Sequence, residues 1–161
     1  MTCHITLLTS ATCNSLTKTF SSPDLKVQRF EIGKDFYVSE EPVSDLQSLA
    51  DLLRRLETEP TQTIIRGSLI EGKTNPVLRN KETFAATARQ WCMIDIDSLD
   101  WDGDIQDQDA MLAHSVQQLL IQFQSVDCHY HFSSSMGIKT GIRVRLWFWL
   151  DRSCSDDELK A

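Results

Sequence analysis

The spacing of apolar residues changes period several times along the chain, and each change predicts an element. In the first forty positions CHITLLTS, LKVQRFEIG and DFYVS read as strands, separated by the turn-prone SSPD and GKD. The period then lengthens. In PVSDLQSLADLLRRLE, Leu46, Leu49, Leu52, Leu53 and Leu56 recur at spacings of three and four with Arg54 and Arg55 opposite. That spacing predicts an amphipathic helix, announced by a Pro and a Ser and closed by Pro60. TQTIIRGSLI follows as one short strand and EGKTNPVLRNKE as a polar loop.

The second half is more sharply patterned. WCMIDID predicts a strand, the acidic stretch to Asp109 a loop, and AMLAHSVQQLLIQFQ a helix with Met111, Leu112, Val116, Leu119, Leu120 and Phe123 on one side. DCHYHFSSS, MGIKTG and IRVRLWFWLD then read as strand, turn and strand. SCSDDELKA opens a helix, with Ser155 and Glu158 spaced as a capping box. So short a helix is barely stable in water, which predicts that the chain is an N-terminal piece of a longer protein. No repeat or linker divides the sequence, so residues 1–161 are expected to form one domain.

Composition narrows the class. The chain is 41% hydrophobic and 24% charged, close to globular averages. The longest apolar run, near Leu146 to Leu150, is flanked by Arg143, Arg145 and Asp151 and is far too short to cross a membrane. The start MTCHITLLTSATC lacks the basic n-region of a signal peptide, and the five cysteines are odd in number with no C-x-x-C pair. Both features predict a reducing, cytoplasmic setting. Sixteen basic residues against 23 acidic ones give a net charge of -7, which argues against gripping duplex nucleic acid by bulk positive charge. Seven of those acids (Asp95, Asp97, Asp100, Asp102, Asp104, Asp107 and Asp109) fall close together.

Strand alternation turns this density into geometry. Trp91, Met93, Asp95 and Asp97 share one face, while Cys92, Ile94 and Ile96 point to the core. Carboxylates two strand steps apart, about 6.5–7 Å, suit one or two hard cations. A strand end delivering its acids to solvent gives the same pattern, and for an isolated D-x-D that reading is favoured. On the last strand Arg143, Arg145, Trp147, Trp149 and Asp151 share a face opposite Val144, Leu146, Phe148 and Leu150. Arginine forks match phosphate oxygens and indole rings stack on bases, so the face fits a nucleotide; a further layer packing on the tryptophans fits equally.

SSSMGIKTG offers hydroxyls, glycines and Lys139 suited to phosphate, although on composition a plain hairpin loop is the better reading. The run Asp100 to Asp104 lacks the glycine position and closing Glu of a calcium loop. His129 and His131 share a face where a transition metal could bind, but a satisfied or substrate-facing role is favoured. Cys128 reads as a small buried apolar residue.

The order IDID, helix, HFSSSMGIKTG and IRVRLWFWLD resembles the catalytic core of the archaeo-eukaryotic primase superfamily, in its plasmid, phage and prophage forms. The resemblance covers roughly residues 61 to 158. It implies an α+β fold with a mixed or antiparallel RRM-like sheet, helices on one face and an open catalytic face. It further implies nucleotidyl transfer in DNA replication, with Asp95 and Asp97 holding Mg²⁺ or Mn²⁺ and Asp151 as candidate third acid. Ser133, Ser134, Ser135, His131, Lys139, Arg143 and Arg145 would face the nucleotide. Arg143 and Arg145 stand where many relatives place a histidine, and relatives often carry the third acid on a later strand.

The implied partners are nucleoside triphosphates, a single-stranded DNA template and a C-terminal helicase or primase accessory region, with no membrane. Two other readings use the same residues. One is a non-catalytic nucleotide- or single-strand-binding module stacking bases on Trp147 and Trp149. The other is a D-x-D glycosyltransferase or metal-dependent nuclease.

Overall fold

A computed structural model describes residues 3–21, 24–27 and 33–160. Within them lie eleven strands and two α-helices, a mixed α+β arrangement whose sheets are mostly antiparallel. In chain order these are β1 (Cys3–Ser10), β2 (Phe20–Ser21), β3 (Lys26–Val27), β4 (Asp35–Val43), α1 (Leu46–Glu57), β5 (Gln62–Ile65), β6 (Ser68–Leu69), β7 (Val77–Leu78) and β8 (Phe84–Ala85). β9 (Arg89–Leu99), α2 (Gln108–Gln117), a 3-10 turn at Ile121–Phe123, β10 (His129–Phe132) and β11 (Ile142–Cys154) complete the order. Of the predicted strand LKVQRFEIG, Lys26–Val27 is a strand and residues 28–32 lie outside the described residues. The chain forms two compact units: Met1–Gln90 with Leu150–Ala161, and Trp91–Trp149.

The first unit centres on a sheet of order β5-β1-β4-β7. β1 pairs antiparallel with both β4 and β5, and its Ile5, Thr6, Leu7 and Leu8 are all buried. Burial of four successive residues means both faces of the central strand are covered. α1 contributes Leu49, Leu52 and Leu53 of the predicted apolar stripe to the buried set, together with Ala50, while Leu46 and Leu56 at its ends are half-buried. Its cap is Asp45, whose carboxylate accepts from the Ser48 N–H at 2.7 Å while the Asp45 N–H donates to the Ser48 hydroxyl at 3.2 Å. The Ser48 N–H holds the Asp45 carboxyl below its ordinary value. Pro42, read as part of the helix announcement, instead lies in β4.

TQTIIRGSLI does not run as one strand, because the backbone leaves the sheet at Arg66 and Gly67. Their carbonyls accept from the Arg89 side chain at 3.1 and 3.3 Å. Arg89 is 5% exposed and also reaches the Thr6 hydroxyl at 2.8 Å and Glu40 at 3.2 Å. Likewise EGKTNPVLRNKE is not all loop: Val77 is buried in β7, which pairs with β4.

The predicted helix at SCSDDELKA is a turn. Ser155 and Glu158 do make the reciprocal capping contacts, at 2.8 Å from the Ser155 N–H to Glu158 and 3.3 Å from the Glu158 N–H to the Ser155 hydroxyl. The first turn is the costly step of helix formation, and among the described residues no regular helix grows from it. The Ser155 N–H, then the Arg152 side chain, hold the Glu158 carboxyl down at about 2 instead of 4.5. A carboxyl depressed on folding contributes fully above its unfolded value and loses that contribution as pH falls through its folded value. The Ser155 amide resonance is therefore expected to titrate with a midpoint near 2. A midpoint near 4.5 would contradict the cap.

The second unit is a three-stranded sheet of order β10-β11-β9, with α2 between β9 and β10 in sequence. Val144, Leu146 and Phe148 of β11 are at most 1% exposed, as the strand pattern predicts, and Phe123 packs on Phe148 with ring centroids 4.8 Å apart. AMLAHSVQQLLIQFQ is not one helix. α2 ends at Gln117, Leu120 is extended, and the Gln124 amide donates to the carbonyls of Gln117 and Leu119 at 3.1 and 2.7 Å. That side chain satisfies carbonyls a continuing helix would have used. Leu120, which a continuous helix would have aligned with the core, is exposed, as is Ile121.

Among the described residues no helix is long and apolar enough to cross a membrane. Among the described residues no disulfide joins the cysteines. Cys128 is half-buried, and burial, then Asp127, push its thiol up.

Candidate functional site

The candidate site is built on one face of the β10-β11-β9 sheet. β9 alternates as its sequence predicts: Met93, Asp95 and Asp97 are exposed, with half-buried Ile94 and Ile96 between them. β11 lies beside it, and Arg143 pairs with Asp97 while Arg145 reaches Asp95 at 3.3 Å. The two ion pairs step in opposite directions along the strands, as an antiparallel register requires. On the other flank, His129 stands opposite Trp147 and His131 opposite Arg145, so both imidazoles share this face. The sequence-predicted Asp95, Asp97, Arg143, Arg145 and His131 are thus brought together within one unit.

Burial grades the face. The Arg143 side chain is 9% exposed, that of Arg145 41%, and those of Asp95 and Asp97 50% and 70%. Arg143 is held by three contacts along its length: Asp97, the Ser98 hydroxyl, and the sheet itself through its carbonyl, which accepts from the Ser133 N–H at 2.9 Å. Its Nε is buried with no hydrogen-bond partner among the described residues. Each carboxylate therefore carries an arginine, one deeply seated and one at the surface.

One expectation is corrected here. Trp147 is not an open stacking surface: it is 4% exposed, 5.7 Å from Trp91 between ring centroids and 6.2 Å from His131. Its indole N–H also donates to Nδ1 of His131 at 3.4 Å. The physical reason is that rings from the strands on either side, Trp91 on β9 and the diagonal His131 on β10, lean over Trp147, so the face covers itself; Trp149 remains half-exposed. The loop after β10 is the hairpin connection that its composition favours, and three of its amides are engaged within it. The N–H groups of Met136, Ile138 and Lys139 donate to the carbonyls of Ser133 and Ser135. Ser133 and Ser135 share a hydroxyl contact at 2.9 Å, whereas Ser134 and Lys139 are exposed.

Ser98 was not singled out from sequence. Strand parity sends it to the opposite face from Asp97, yet its φ of 77° turns the backbone so that its hydroxyl joins Asp97 on Arg143. Gly141, at φ 78°, sits against this bend: a Cβ there would lie 2.7 Å from the Leu99 carbonyl oxygen and 2.9 Å from the Ser98 carbonyl carbon. The only sequence signal was a glycine before a strand. Asp151 is exposed and belongs to the other unit.

Comparison with protein-family models, curated proteins and solved structures finds no match to this chain.

Proposed function

We propose that this chain is the catalytic domain of a metal-dependent nucleotidyltransferase, a primase-polymerase that replicates the DNA of a mobile element in the cytoplasm. The observation that carries the reading is the placement of Asp95 and Asp97 on one sheet face with Arg143 and Arg145 on the adjacent strand. The strand–helix–strand–strand order, with β11 between β10 and β9, supports an RRM-like arrangement of this half.

The donor set fits Mg²⁺ or Mn²⁺, since two hard carboxylates, each at least half exposed, offer oxygen ligands on one side. What a bound ion supplies is Lewis acidity: a lower pKa for an attacking hydroxyl and neutralised charge on the triphosphate. Asp95 and Asp97 would hold that ion. Arg143 and Arg145 bind phosphate oxygens by their planar forks. Ser133, Ser134, Ser135 and Lys139 extend the phosphate contacts through hydroxyls and an ammonium, and His131 lines the nucleotide side. A template and a C-terminal helicase or accessory region complete the unit. The binding-module alternative is weakened by the burial of Trp147.

The test is Asp95→Asn combined with Asp97→Asn. Both positions are surface carboxylates, so the fold should remain intact while Mn²⁺-dependent nucleoside triphosphate binding and primer extension are lost. Unchanged Mn²⁺-dependent binding in a folded double variant would overturn the metal reading.

A further inference from the structure

We infer, resting on the nucleotidyltransferase reading above, that the two arginines gate the two carboxylates, so that cation and triphosphate enter this face together by exchanging ion-pair partners. Asp97 is paired with Arg143 and Asp95 with Arg145. One oxygen of each carboxylate is engaged by a guanidinium, and one nitrogen of each guanidinium, Nη1 of Arg143 and Nε of Arg145, is engaged by a carboxylate. Either ligand alone must break an ion pair and leave one partner uncompensated. Both together replace two Asp–Arg pairs by two carboxylate–cation and two guanidinium–phosphate contacts, so that no charge is left alone.

The two pairs contribute unequally. Arg143 is 9% exposed and keeps a buried Nε without a partner, so its guanidinium is incompletely satisfied by Asp97 and Ser98. A phosphate oxygen would supply the missing acceptor. Arg145, at 41% exposure, has room to swing from Asp95, and loss of its charge should not disturb the core. The consequence is positive coupling between the two ligands, which linkage makes reciprocal and for which about 10-fold is a typical size.

The experiment uses Arg145→Gln and Asp95→Asn, a surface pair, in the full chain, with Mn²⁺ alone and metal-free inorganic tripolyphosphate as separate calorimetric probes. If exchange operates, Arg145→Gln binds Mn²⁺ about 5-fold or more tightly than the unaltered protein, because Asp95 is released. Asp95→Asn binds metal-free tripolyphosphate more tightly by a similar factor, because Arg145 is released. Unchanged affinity of either variant for its probe, while the unaltered protein binds Mn²⁺ and tripolyphosphate together, overturns the exchange and leaves the nucleotidyltransferase reading standing. An unaltered protein that takes up neither probe, singly or together, overturns both. Matched circular dichroism of the variants keeps these outcomes separate from misfolding.

Discussion

Gly141→Ala is expected to destabilise the second unit by about 2–5 kcal/mol, combining roughly 1–2 for a left-handed L-residue with roughly 1–3 for overpacking. The overpacking follows from contact with backbone: the new methyl would meet the Leu99 carbonyl oxygen at 2.7 Å and Ser98 at 2.9 Å. Those atoms can yield only if β9 shifts at the residue after Asp97. Gly137 is the internal control, since it also has positive φ, 74°, but its nearest atom is the Ile105 side chain at 3.8 Å. Gly137→Ala should cost only the conformational part, about 1–2 kcal/mol. Urea unfolding followed by tryptophan fluorescence separates the two. Equal losses at both positions would show that the approach of the hairpin to β9 is not a constraint.

How much of this was legible in the sequence follows from where local patterning governs. β1, β4, α1, β10 and β11 were readable because alternation or leucine spacing reports directly which side chains are buried. The helix after the acidic loop was misread because leucine spacing continues through Leu119 and Leu120, while the break depends on where the Gln124 amide finds carbonyls. The division of TQTIIRGSLI had the same kind of cause, an arginine 22 or more positions away taking the Arg66 and Gly67 carbonyls. Side-chain-to-backbone bonds over such separations leave no periodic trace.

The candidate face was legible to a similar depth. Parity along two strands placed Asp95, Asp97, Arg143 and Arg145 correctly because period two is set by the pleat. Parity could not report pairing, so the match of Asp97 with Arg143 and of Asp95 with Arg145 came from register. Nor could it report that Trp91 and His131 would cover Trp147, because burial of a face depends on its neighbours in the sheet. Ser98 shows the limit most clearly: a single positive φ reverses the face that counting assigns.

Arg89→Met should lower the stability of the first unit by about 3–5 kcal/mol, the sum over several acceptors left unsatisfied at roughly 1–3 kcal/mol each. Methionine keeps the apolar stem but removes every donor. The carbonyls of Arg66 and Gly67 and the Thr6 hydroxyl all lose a contact at positions where water has little access. Glu40, the charged partner, is 40% exposed and can be solvated, so the ion pair itself should matter little. This separates two accounts of the same residue. If the carbonyls dominate, Glu40→Gln costs about 1 kcal/mol or less, in the range of surface ion pairs. Arg89→Lys should then recover only part of the loss, because an ammonium cannot reproduce the fork that reaches Arg66 through Nε and Thr6 through Nη2. A Glu40→Gln loss as large as that of Arg89→Met would instead place the energy in the ion pair, and the break between β5 and β6 would need another cause.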